Sequence, residues 1–166
     1  MTLTTHSIIA VAVTKPLMRM HPVLIFAVAI LTHYLSDAIP HWDYKILSLE
    51  NAEDKEHRHI SNNHKLIITD IRNFAIDGFL GAAIVLLAIR PVTPQQWMWA
   101  GLAVVGGCLP DFLQALHVLK LPLLRLHQKF HDIFHTNIRL SSYPLLGIPF
   151  QAAIVATALF VLVGRS

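Results

Sequence analysis

Histidine and aspartate stand at the edges of this chain's apolar segments in a pattern suited to holding a divalent metal. His33 and Asp37 are four residues apart, so a helix carries both on one face. Two donors at that spacing can grip one ion, as paired histidines do in helical zinc motifs. Pro40-His41-Trp42-Asp43 follows at once and adds an imidazole, His41, and a further carboxylate. Asp111 lies in the apolar run Gly106-Gly107-Cys108-Leu109-Pro110-Asp111, where an unpaired carboxylate is costly and a bound cation would satisfy it. His127, His131 and His135 recur at i, i+4 and i+8. The outer two are about 12 Å apart on a helix, so neighbours rather than all three can share an ion. His131 with His135 is the preferred pair, and His127 is an outer contact that could exchange roles with them. Asp43, and Asp132 beside His131, are placed to accept a proton. Arg125, Lys129 and Arg139 could hold an anionic group.

Each motif also has a plain structural reading. His33 and Asp37 could cap a helix end, Asp111 could cap another, and the late histidines could line an amphipathic helix at a headgroup surface. His57, His59 and His64 sit among charges, at and beyond the dense run 50–59, and read as solvated.

The elements that must position these groups are membrane helices. Of 166 residues, 54% are hydrophobic and 14% are Asp, Glu, Lys or Arg, against about 25% charged in a soluble domain. The mean hydropathy is +0.54. That composition belongs to an integral membrane protein, and the length allows one compact bundle occupying 1–166. Cys108 is alone, which excludes an intramolecular disulfide and a cysteine-based zinc site. The formal charge of +3 is scattered and suits loops near lipid headgroups, not a nucleic-acid surface. Ser7 to Val13 lacks a preceding basic stretch and does not read as a signal peptide.

The clearest spans are 71–89, 97–119 and 144–163, each near the ~20 residues that cross a bilayer. Residues 4–18 and 22–38 form a weaker apolar pair, short for full spans. The expected fold is all-α, a multi-pass transmembrane bundle of four to five helices. Two polar segments, 41–70 and 120–142, remain. They and the adjoining Arg72 carry Lys45, Lys55, Arg58, Lys65, Lys120, Arg125, Lys129 and Arg139, against Lys15, Arg19, Arg90 and Arg165 opposite. That bias places both loops, and the site, on the cytoplasmic side of the cell's inner membrane.

Helix direction then predicts convergence. If the second helix ends at Asp37 on the loop side, the first begins there at Thr5-His6-Ser7. The third starts there near Asp77, the fourth returns there at Asp111, and the late histidines leave from the same face. His6 to Asp37 spans 31 residues and Asp77 to Asp111 spans 34, which suggests two repeated helical hairpins around a shared site.

Thr5-His6-Ser7, the Leu109-Pro110-Asp111 segment and the cluster His127, His131, His135-Thr136 resemble the small bacterial and archaeal membrane-bound metal-dependent hydrolases. Asp111 lacks the second Asp of that family's Leu-Pro-Asp-x-Asp segment, and 131–136 lacks its usual Arg and Ser. The resemblance implies metal ligation by His6, Asp111 and His135. The His33-x-x-x-Asp37 helix is also similar to zinc-dependent phospholipase C. Both likenesses imply hydrolysis by a metal-activated water, with zinc the leading ion and manganese or iron the alternatives. A lipid-like phosphoester or ester is the expected substrate and membrane lipid the expected partner; homo-oligomerisation stays open. The rivals are a membrane diiron oxygenase and a non-enzymatic metal-binding or partner-binding membrane protein.

Overall fold

The computed structural model describes residues 1–50, 59–116, 122–134, 136, 138 and 140–164. The fold is all-α. Its helices are α1 (Leu3–Thr14), α2 (Pro22–Asp37), α3 (His64–Ile89), α4 (Pro94–Leu116), α5 (Pro122–Phe134) and α6 (Pro144–Gly164). A two-residue antiparallel pairing, Leu49–Glu50 with His59–Ile60, is the only sheet among the described residues. Of these helices, α3, α4 and α6 are long and apolar enough to cross a membrane.

Short α1 is the centre of the bundle. Its 12 residues extend about 18 Å, well under a bilayer's ~30 Å hydrocarbon thickness. It packs against α2, α3, α4 and α6, and Leu3, Ile8, Ala10, Val11 and Ala12 are buried together with the polar Thr5, His6, Ser7 and Thr14. Apart from the exposed Val13 and the partly buried Thr4 and Ile9, α1 is enclosed, so its buried polar residues must find partners within the bundle. Thr14 gives its hydroxyl hydrogen to the Ala10 carbonyl (2.7 Å) and accepts from the Trp99 indole (3.0 Å).

The outer helices show the reverse pattern. Phe79 and Leu87 on α3, Leu145 and Phe160 on α6, and Val105 on α4 are exposed, while His33, Ser36 and Asp37 are buried. Apolar outside and polar inside is the arrangement a bilayer selects, because lipid rewards the exposed apolar faces and penalises unpaired polar groups.

Helix direction follows from the contacts at each end of α1. At its C-terminal end Trp99 of α4 meets Thr14. At its N-terminal end Asp77 of α3 and Asp111 of α4 arrive together with Asp37 of α2. The packing is close because α4 presents glycine there. A Cβ on Gly107 would stand 2.8 Å from Ala10 Cβ and 3.1 Å from the His6 carbonyl oxygen, and one on Gly106 would stand 2.8 Å from Ala29 Cβ. Helix α4 also runs through Pro110 and Asp111 to Leu116, instead of closing at Asp111. Pro110 withholds the N–H that would bond the Gly106 carbonyl.

Candidate metal centre

Four helices deliver one donor set to the N-terminal end of α1. His6 Nε2 lies 3.2 Å from Asp37 Oδ1 and 3.6 Å from Asp111 Oδ2. His33 Nε2 lies 3.3 Å from Asp37 Oδ2, 3.6 Å from Asp111 Oδ1 and 3.2 Å from His131 Nε2. His131 Nε2 lies 3.3 Å from Asp37 Oδ2 and 3.5 Å from Asp111 Oδ1. His6, His33, Asp37 and His131 are each 1% exposed.

Two observations separate this from an ordinary buried ion-pair network. The first is tautomer. His33 Nδ1–H donates to the Gly107 carbonyl at 2.7 Å, and a carbonyl can only accept. The Ser36 hydroxyl gives its hydrogen to the His33 carbonyl (2.8 Å) and therefore accepts from His6 Nδ1–H (3.1 Å). With Nδ1–H engaged in this way, a neutral ring leaves its lone pair on Nε2, the arrangement found in metal-ligating histidines oriented by an outer hydrogen bond. The second is satisfaction. His6 Nε2 and Asp37 Oδ2 are buried without a hydrogen-bond partner. Lone pairs facing carboxylate oxygens at 3.2–3.3 Å repel unless a cation or a proton lies between them.

The spacing suits an ion. Bonds of about 2.0–2.1 Å in a tetrahedron set neighbouring donors about 3.3–3.4 Å apart, and the separations here are 3.2–3.6 Å. His6, His33, Asp37 and Asp111 form a group that could hold a metal ion. His131 of α5 borders it, with Nε2 beside His33, Asp37 and Asp111.

His41 and Asp43 border the group. His41 Nδ1–H donates to the Ile39 carbonyl at 2.7 Å, and its Nε2 faces Asp43 Oδ2 at 3.0 Å and Asp37 Oδ1 at 3.9 Å. The N-terminal ammonium of Met1 stands 2.9 Å from Asp37 Oδ1 and 3.3 Å from Asp43 Oδ1. Burial pushes the Asp43 carboxyl up, but this ammonium and His41 outweigh it and hold the group below the usual carboxylate range. Asp43 is therefore ionised at neutral pH.

The remaining candidates are placed elsewhere. His127 Nε2 pairs with the Tyr34 hydroxyl at 3.3 Å, one turn outside the group. Asp132 accepts from the Gln128 amide at 3.1 Å. Lys129 is exposed. His135, Arg139 and the Arg125 side chain lie outside the described residues, as does His57. Asp77 shares this end of the bundle but has a different task. It accepts from Leu3 N (2.6 Å), Thr4 N (3.1 Å) and Thr4 Oγ1 (2.7 Å), capping the open N–H groups of α1 from across the bundle.

Sequence reasoning missed Ser36 and the Gly107 carbonyl. Ser36 had a local signal, since it is three residues after His33 and can fold back onto its carbonyl. The Gly107 carbonyl had none, because its partner is fixed by how α4 lies on α2. No family model, curated protein or solved structure matches the chain.

Proposed function

We propose that the protein is a membrane-embedded metal-dependent hydrolase acting on a lipid-like phosphoester or ester at the cytoplasmic membrane surface. The observation that carries this reading is the pair of buried Nε2 atoms on His6 and His33, each ring oriented by its own Nδ1 hydrogen bond, facing the carboxylates of Asp37 and Asp111. His6, His33, Asp37, Asp111 and His131 would hold the ion, and zinc suits this mixture of imidazole and carboxylate. A divalent ion so bound lowers the pKa of a coordinated water toward neutrality and polarises a phosphoryl or acyl oxygen.

The chain's own groups supply the rest. Asp43, ionised and 35% exposed beside His41, can accept a proton and pass it to solvent. Exposed Lys129, two residues before His131 on α5, would meet an anionic headgroup, with Arg125 and Arg139 adding positive charge nearby in the sequence. The excess of Lys and Arg in and beside segments 41–70 and 120–142 supports a cytoplasmic site. The likeness to the small prokaryotic membrane-bound hydrolases supports hydrolysis over metal transport.

The test is metal analysis of detergent-purified protein, together with release of phosphate or fatty acid from bacterial lipid extracts. Stoichiometric zinc or manganese with product release, both absent in His33→Ala, is expected. Protein without stoichiometric metal defeats the hydrolase reading. Iron with oxygen-dependent turnover would move the assignment to an oxygenase.

A further inference from the structure

The two carboxylates of the centre do not point at one spot. Asp37 turns Oδ2 to His33 and His131, at 3.3 Å from each, and Oδ1 to His6, at 3.2 Å. Asp111 divides in the same way, with Oδ1 3.6 Å from His33 and 3.5 Å from His131, and Oδ2 3.6 Å from His6. Each side chain thus offers one oxygen to one set of imidazoles and its other oxygen to another.

The imidazoles are divided too. The rings of His6 and His33 are stacked, with centroids 3.9 Å apart and planes inclined by 24°. An imidazole binds a metal along the lone pair in its own ring plane. The Nε2 atoms of these stacked rings face different oxygens of the same two carboxylates, and so address neighbouring points. Two-metal centres hold their ions about 3.5–4 Å apart, which is the separation of these rings.

We infer that the centre is built for two divalent cations bridged by the carboxylates of Asp37 and Asp111. His33 and His131 complete one position. With Asp37 Oδ2 and Asp111 Oδ1 they form four donors, and the distances given above between them run from 3.2 to 3.6 Å. His6 Nε2, buried and without a hydrogen-bond partner, defines the other position with Asp37 Oδ1 and Asp111 Oδ2. His41, whose Nε2 is 3.9 Å from Asp37 Oδ1, flanks that second position. The Met1 ammonium already meets Asp37 Oδ1 at 2.9 Å, so this side of the carboxylate accommodates positive charge, and an ion there would take its place. The inference rests on the metal-centre reading and adds the count and the bridges. Two ions across shared carboxylates could clamp both the attacking and the leaving oxygen of an in-line displacement at phosphorus, which favours a phosphoester over a carboxylic ester as the substrate class.

The test uses the whole protein in detergent, loaded with Mn(II), with metal analysis beside electron paramagnetic resonance. Two ions per chain and an exchange-coupled manganese spectrum are expected from the unaltered protein. His6→Ala should leave one ion and the spectrum of isolated Mn(II), and Asp37→Asn should leave none. One ion per chain with an isolated-ion spectrum in the unaltered protein overturns the two-ion centre while leaving a one-ion hydrolase standing. No bound ion overturns both. Because the decisive spectrum comes from the unaltered chain, misfolding of a variant cannot decide the outcome.

Discussion

The hairpins α1–α2 and α3–α4 carry polar residues at matching places, yet they use them differently. In the first, His6 near the start and Asp37 at the end both enter the donor group. In the second, only Asp111 does, and Asp77 turns its carboxylate to the first turn of α1. The reason lies in α1. That helix has no acidic residue in its first turn, and it is buried where water cannot satisfy its open N–H groups. Its own N-cap, Thr2, accepts from Thr5 N, so the acceptor for Leu3 N and Thr4 N came from a neighbour, Asp77. Asp111 and Asp77, at one end of one hairpin, are thus divided between a group that could hold a cation and the cap of a helix. Position in the repeat does not decide which; the unmet need nearest each side chain does.

The division predicts opposite outcomes for the two residues. The largest effect is expected from Asp37→Asn, which removes the charge shared among His6, His33 and His131. Metal content should fall to background, while circular dichroism keeps its helical signal. Stoichiometric metal in this variant would remove Asp37 from the ligand set and erase the contrast with Asp77.

Ser36→Ala comes next, because it touches the centre only by orienting His6. Loss of an orienting partner of this kind typically weakens metal affinity about 10–100-fold. Competition with a chelator should show that loss without loss of helix content. Unchanged affinity would mean that packing alone, including the stacked His33 ring, holds His6 in place. Gly107→Ala acts a further step away. Its new methyl group meets Ala10 Cβ at 2.8 Å and must push α4 off α1, and overpacking of this sort costs about 1–3 kcal/mol. A lower melting temperature in detergent with only modestly weakened metal binding is expected. An unchanged melting temperature would mean that the α1–α4 contact is looser than the glycine implies.

How much of this could be read from residue order depends on which force positions each group. The i, i+4 rule alone puts His33 and Asp37 on one face. Antiparallel helix direction brings His6 and Asp111 to them, because the hairpins α1–α2 and α3–α4 each return to the end from which they start. The three-imidazole stripe was legible as a stripe, with His131 and His135 as the preferred inner pair; of its two described members, His131 meets Asp37 and Asp111 and His127 meets the Tyr34 hydroxyl, a difference set by packing. The outer hydrogen bonds were the least legible. A backbone carbonyl such as that of Gly107 carries no residue code, and it faces His33 only through the register of α4 on α2. The short α1 read as a doubtful span, since nothing in an apolar run of that length says that it is the buried centre of a bundle.

The smallest effect on metal is expected from Asp77→Ala, and it is the sharpest test of the comparison. The substitution leaves Leu3 N and the Thr4 N–H and hydroxyl without the acceptor they now share. Loss of a capping acceptor costs about 0.5–2 kcal/mol, and burial of the orphaned groups sets this one toward the upper end. Unfolding in detergent should therefore occur at lower denaturant or temperature, while bound metal per chain in the folded protein stays as it was. If the variant instead loses its metal and keeps its stability, Asp77 belongs to the ligand set. The second hairpin would then mirror the first, and the acceptor for α1 would have to be sought elsewhere in the bundle.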